Sequence, residues 1–476
     1  LLFAGVPFLL AGPVLHRAGV DPPSATTLAG PGPATTRPRP ETRLADQGQW
    51  TQWRGPERDG VVSTEPKPGE WPEEAVLLWE EEVGEGYSGP VVAGDRVWMH
   101  TRRGEYEIVS SLTLAEGRTV WRRRYEVPFV QDHDALKHGR GPYGTPAVAD
   151  GRLFTFGVTS ILSAWDAQSG GLLWRRDYSE EFEPSYPYFG QASSPLVSGD
   201  LCYAHFGITA GEGGDRGAMV ALDVTDGSER WRWDDDSPSV GSSPVLAEIG
   251  GRLQLVFKSK MLIVGLDPES GTELWRIRYI ISQDNTIVTP LFIGDQLVTS
   301  DWQEGMQSWM IERVAGSEAL AGDEVGGAVA ADAGRDRPSE TWRARDLWQT
   351  RGASIYTSSP VLLKRRGHPN PGLVAGFSHF HSGQLFLLDP TSGDVIWRGD
   401  GRSGEHVSLA VWGEDLLVFD EDGYLAVGPV SRDGFQPLHR YRLGDSIAWT
   451  HPAVLAGSSN RILVKDGSRL MVYSFD

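Results

Sequence analysis

The chain has one cysteine, Cys202, in 476 residues. A single thiol excludes an internal disulfide and any CxxC metal or redox motif. Clustered positive charge is also scarce. There are 44 Lys and Arg against 64 Asp and Glu, for a net charge of −20. The short runs RRGEYE (102–107) and WRRRYE (121–126) sit beside carboxylates. A duplex-binding surface needs clustered cations, so no nucleic acid is expected as a partner. The charge instead favours solubility. No long stretch sustains an apolar period near 3.6, so few helices are expected. GxSxG, HExxH and P-loop motifs are missing, and no Ser-His-Asp set can be assembled from spacing.

Long apolar runs are missing too, with one exception. LLFAGVPFLLAGPVL (1–15) has the length of a signal-peptide core and falls short of the roughly 20 residues that span a bilayer. No initiator Met or basic region precedes it. Residues 1–16 are therefore expected to be a truncated signal peptide or membrane anchor. The compartment expected is periplasmic or otherwise extracytoplasmic, and membrane contact is expected only through this segment. Residues 17–46 are rich in Pro, Ala, Thr and Arg and predict a flexible tether.

Gly (58), Pro (31) and Trp (18) are plentiful, the composition of short strands joined by tight turns. They are also ordered. LDPESGTELW ends at Trp275 and LDPTSGDVIW ends at Trp397. Related units end at Trp121, Trp174 and Trp231, each with Gly four residues before Trp. Four of the five place Asp eight before Trp: Asp166, Asp223, Asp267 and Asp389. The unit predicts a hairpin. Asp accepts backbone N–H groups in the turn, Gly takes positive φ, and the Trp strand follows. Repetition of so large a ring at one register predicts packing between units. Trp79 and Trp348 are assigned the same role.

Hydroxyl-rich steps ending in Pro precede the units, at Pro90, Pro146, Pro195, Pro244, Pro290, Pro360 and Pro452. Three of the six intervals are 46 to 49 residues and one is 56, about the length of a four-stranded propeller blade. The interval after Pro360 is twice as long, and residues 407–427 supply a unit without the Pro. The interval after Pro290 holds residues 315–340, expected to be a disordered insertion. Eight units result over residues 47–476. The chain has no final Trp strand after Pro452, whereas AVLLWEEEV (75–83) is a Trp strand without a blade. Trp79 is therefore expected to complete the last blade and close the ring. The predicted fold is an all-β, eight-bladed propeller of four-stranded blades.

The Asp, Gly and Trp spacing resembles the tryptophan-docking motif of PQQ-type eight-bladed propellers. Residues 141–174 and the opening WTQWRGPERDGV (50–61) are similar to the PQQ-binding-like repeat subgroup. That family includes quinoprotein dehydrogenases and a non-enzymatic propeller that assists outer-membrane protein assembly. The resemblance covers about residues 50–476 and is specific for fold. In the dehydrogenases it implies a quinone over a Trp, a Ca²⁺ ion, an Asp base and often a vicinal disulfide. One cysteine cannot form that disulfide.

Residues just before each Pro are expected to ring one mouth of the central channel. Tyr143, Gln191, Trp449 and His451 are candidate ligand contacts there, and the small hydroxyls are equally explained as partners for backbone groups. Arg140 could meet a carboxylated ligand. Asp284 and Asn285 could offer oxygens to a hard cation, or cap a strand. His379 and His381, two apart on an expected strand, are weak candidates for Zn²⁺ or Cu²⁺, and no third ligand is near. The leading expectation is a monomeric, exported, non-catalytic scaffold with a protein or polysaccharide partner. The alternative is a PQQ- and Ca²⁺-dependent dehydrogenase of a sugar or alcohol.

Overall fold

The computed structural model describes residues 49–62, 70–130, 139–181, 190–208, 216–236, 241–279, 287–314, 341–364, 372–445, 449–457 and 460–476. Residues 1–48, the 315–340 insertion, and Asp284 with Asn285 lie outside them. Eight antiparallel sheets form the molecule. The first blade runs Val91–Ala93, Arg96–Arg103, Tyr106–Thr113 and Thr119–Glu126 in spatial order. The next blades open with Ala147–Ala149, Leu196–Ser198, Val245–Ile249, Leu291–Ile293, Val361–Leu363, Val407–Trp412 and Ala453–Leu455. The strand that lacks a preceding Pro, Val407–Trp412, does open the seventh blade. Val76–Glu82 is the outer strand of the eighth, antiparallel to Arg469–Ser474 with Trp79 opposite Val472. An early strand thus completes the last blade, and the ring has no open seam. No helix of the described residues is long and apolar enough to cross a membrane.

The repeated turn works as local chemistry requires. Asp166 Oδ1 accepts the Ser169 N–H at 2.7 Å, Asp223 Oδ1 that of Thr225 at 2.8 Å, and Asp389 Oδ1 that of Thr391 at 3.0 Å. The turn glycines have positive φ, +70° at Gly170 and +69° at Gly227. Each of the seven repeat Trp follows a bulge. In the second blade Leu172 pairs with Trp165 and Trp174 with Ala164, leaving Leu173 unpaired. The extra residue bends the strand and breaks its alternation, so Trp can turn towards the next blade.

Most of these rings rest on the following blade. Trp79 Nε1 donates to Leu114 O at 2.9 Å, Trp121 to Ala167 O at 3.0 Å, Trp174 to Val224 O at 3.0 Å, Trp231 to Pro268 O at 2.9 Å and Trp348 to Pro390 O at 2.8 Å. Trp275 differs. Its Nε1 donates within its own blade, to Gln254 Oε1 at 2.6 Å. Trp397 lies against Gly434 of the seventh blade.

Candidate functional site

Within each antiparallel blade, the first strand starts on the face where the second ends. Inter-blade connections and second-to-third-strand turns therefore share one face of the ring. There the small hydroxyls form a circumferential series. Gly89 N donates to Thr145 Oγ1 at 3.0 Å, Thr145 N to Ser194 Oγ at 2.9 Å, Ser194 N to Ser243 Oγ at 3.0 Å, and Thr289 N to Ser359 Oγ at 3.1 Å. At these four junctions one blade's backbone N–H is satisfied by the next blade's hydroxyl. The structural explanation of these residues is the one the geometry carries.

The channel is crossed by residues 50–62. Trp50 and Val92 exchange backbone bonds at 2.9 and 2.8 Å, and Val148 N donates to Thr51 O at 2.8 Å. Arg54 Nη2 reaches Pro360 O at 2.6 Å, and Arg58 Nη1 reaches Pro195 O at 2.9 Å. Val61 and Val62 then run parallel to Val411 and Trp412. The segment thus touches the inner strands of the first, second, third, sixth and seventh blades. Burial pushes Arg54 down to about 10 and Arg58 to about 9, so both guanidinium groups stay charged at neutral pH.

Above this plug lies a bowl of about 600 Å³. Trp53, on the plug, lines it and donates to Thr289 Oγ1 at 3.3 Å. One side of the wall is a run of rings. Tyr143 and Tyr87 are 5.8 Å apart, Tyr87 and Trp449 5.6 Å, and Trp449 and His406 5.8 Å. The other side groups Trp302, Tyr356 and His379, with centroids 5.8 to 6.2 Å apart. Burial pushes His406 down to about 4 and lowers His379, so both imidazoles are neutral at pH 7. No Lys or Arg lines the bowl among the described residues, and Glu405 is the charged side chain at its edge.

The structure divides the candidates chosen from sequence. Tyr143, Trp449 and His451 line the bowl. His451 is wedged between Pro452 O at 3.0 Å and Leu409 O at 3.1 Å, its ring stacked 6.0 Å from Trp50. Burial, and the charge of Arg54, push it down to about 3. Its ring braces the plug. Gln191 is buried away from the bowl, donating to Ser160 Oγ at 3.1 Å and Gly207 O at 2.6 Å. Arg140 turns to the first blade, with Nη1 2.5 Å from Glu105 Oε1 and Nη2 3.1 Å from Gly104 O. Neither Gln191 nor Arg140 lines the bowl.

His379 and His381 correct an expectation. They lie in the reversal between Leu373–Ser378 and Gln384–Leu388, around a 3₁₀ turn at Phe380–Ser382, and not on a strand. His381 has φ +58°. Alternation therefore does not place them on one side. No cluster of three potential metal ligands occurs among the described residues.

Among the ring-bearing residues of the bowl, Trp53, Trp302 and His406 escaped sequence reasoning. Trp53 sits in a segment noted only for its resemblance. Trp302 follows Asp301 at a second-strand end, a place the channel-facing geometry could have flagged. His406 carries no sequence signal at all.

A family model described as outer membrane protein assembly factor BamB matches residues 105–286. A "Putative dehydrogenase XoxF" of Paracoccus denitrificans is 31% identical over 149 residues, 31% of this chain and 23% of that protein. Outer membrane protein assembly factor BamB of Yersinia pestis is 25% identical over 237 residues, 49% of this chain and 53% of its own length. The chain thus spans between about a quarter and a half of these relatives. Among solved structures, BamB from Moraxella catarrhalis superposes with TM-score 0.55 at 16% identity, covering 84% of this chain and all of that one. A europium-containing methanol dehydrogenase gives 0.63 at 13%, covering 90% and 98%. The chain is an eight-bladed β-propeller, similar to PQQ-like propellers over residues 105–286. Proteins named as a dehydrogenase and as an outer membrane protein assembly factor both match, so chemistry must be argued from the bowl.

Among the described residues no positive side chain lines the bowl to meet a carboxylated quinone, and Asp284 and Asn285, the expected cation ligands, lie outside them. Such a ligand needs positive side chains at its carboxylates. Among the described residues the bowl offers neutral rings and hydroxyls, and Arg140 is engaged elsewhere.

Proposed function

We propose that this propeller is an exported binding scaffold without a reaction of its own, and that the aromatic bowl is where it holds its ligand or a protruding part of a protein partner. The supporting observation is the lining: Trp53, Tyr87, Tyr143, Trp302, Tyr356 and Trp449 converge on one cavity that no cation lines among the described residues. Aromatic rings give large contact area at little entropic cost, which suits binding. On this reading residues 1–16 direct export to the periplasm, residues 17–46 tether a propeller at 47–476, and protein or polysaccharide partners are engaged. Relatives named for outer membrane protein assembly agree with a protein partner.

A second reading is a PQQ- and Ca²⁺-dependent dehydrogenase of an alcohol or sugar. One observation favours it. Trp53 gives the bowl an aromatic floor, the feature that reading requires. Asp284 and Asn285 would have to supply the cation site.

One titration separates the two. Protein is titrated with PQQ and Ca²⁺ while Trp fluorescence and quinone absorbance are followed, then alcohols and aldoses are added with an electron-accepting dye. The scaffold reading expects no saturable, calcium-dependent quinone binding and no dye reduction. Saturable binding with dye reduction overturns it.

A further inference from the structure

The outer strands of the first two blades differ from the others. Thr119–Glu126 and Leu172–Asp177 carry five arginines, Arg122, Arg123, Arg124, Arg175 and Arg176, against the two carboxylates Glu126 and Asp177. Among the described residues none of the five forms a close ion pair, although Arg176 lies in the field of Glu229 and Asp226. Arg123 donates to Gly170 O at 2.9 Å and Ser169 O at 2.9 Å, and Arg176 to Gly227 O at 2.5 Å. Arg124 lies 4.8 Å over Tyr106, and Arg175 4.1 Å over Tyr125. Several rim arginines elsewhere are ion-paired, whereas Arg398 donates to Gly352 O at 2.8 Å. Arg230 pairs with Asp223 at 2.7 Å, Arg343 and Arg345 with Glu312 at 3.0 and 2.9 Å, and Arg440 with Asp420 at 3.1 Å.

Large aliphatic side chains stand beside this charge. Leu172 is 49% exposed, Leu173 46% and Val120 41%. The two strands make one patch, because Arg123 grips the turn at Gly170, two residues before Leu172. In a protein of net charge −20, this is a local basic and apolar rim.

We infer that the outer edge of the first and second blades docks on an anionic phospholipid surface, with Leu172, Leu173 and Val120 entering the headgroup layer and Arg122 and Arg124 facing lipid phosphates. Charge complementarity selects the partner. Unpaired arginines bind a negative bilayer surface, and neighbouring aliphatic side chains add interfacial burial. The residues protrude from a strand edge and frame no groove, which suits a deformable bilayer better than a shape-matched protein. This inference is independent of what the bowl binds.

The test is co-sedimentation of the full chain with vesicles of phosphatidylcholine alone or with about one-third phosphatidylglycerol. The N-terminal segment is common to all variants, so differences report the rim. Reversing R122E with R124E should weaken binding to the anionic vesicles by at least about thirtyfold. L172S with L173S should weaken it by about tenfold. The control R230E, on an ion-paired rim position, should bind as wild type does. Thermal melting confirms that each variant is folded. Equal binding by all four proteins overturns the inference, as does binding indifferent to phosphatidylglycerol. Retention on an immobilised acidic peptide through the same arginines, without vesicle binding, also overturns it and points to a protein partner.

Discussion

Gly170 lies directly beneath the indole of Trp121: a Cβ placed there would come within 2.5 Å of the ring. The same relation joins Gly117 to Trp79, Gly227 to Trp174, Gly271 to Trp231 and Gly393 to Trp348. The turn glycine therefore has two functions. It adopts positive φ, and it clears space for the preceding blade's Trp. Gly151 isolates the first, since its φ is +74° with nothing within 4 Å of a Cβ. Gly170→Ala should cost about 2–4 kcal/mol, combining backbone strain and overpacking. Gly151→Ala should cost about 1 kcal/mol. Denaturant unfolding of the two variants checks this, and equal losses would remove the packing function.

Ring closure makes Trp79 a second test. Its outer strand pairs with Arg469–Ser474, and its ring spans to the first blade. Trp79→Ala should cost about 3–5 kcal/mol. It should also promote association through the loosened edge, seen as larger species by light scattering.

Acid should weaken the first blade through Glu107. This buried carboxylate accepts from Tyr125 Oη at 2.6 Å and from Val158 N at 3.0 Å, and meets His100 Nε2 at 3.1 Å. Burial alone would raise its pKa, but the bonds from His100, Tyr125 and Val158 outweigh it and hold the group below its ordinary range. A lowered carboxylate pKa gives stability present above the unfolded value and lost as pH falls through the folded one. Glu107→Gln should be about 2 kcal/mol less stable than wild type at pH 7. The gap should narrow as pH falls below the normal glutamate range, measured by urea unfolding across pH.

Alkali should strengthen the fourth blade through Lys258. It is buried, donates to Ser300 O at 2.7 Å and lies 5.0 Å over Tyr279. Burial pushes it down to about 7 from an ordinary 10.5. Between these values the unfolded chain holds a proton that the folded chain lacks, so stability rises with pH over that window. Wild type should gain about 2 kcal/mol relative to Lys258→Met between pH 7 and 9. A pH-independent difference would show that the ammonium is retained.

The sequence by itself determined the propeller, its eight blades and the closing strand at Trp79. Those features rest on short-range chemistry: Asp with Ser or Thr in one turn, Gly at positive φ, and a Pro step before seven of the eight blades. Such signals survive in a linear pattern because the interacting groups are neighbours in the chain. Only the tertiary structure decided the site. Trp53 meets Thr289, Arg54 meets Pro360 and His451 meets Leu409 across the ring. Gln191 and Arg140 occupy the right stretch of chain, yet a buried carbonyl and an exposed carboxylate hold them away from the bowl. Side-chain direction is set by such partners, and no local spacing encodes it. The second function of each turn glycine was hidden for the same reason, because the ring above it belongs to the preceding blade.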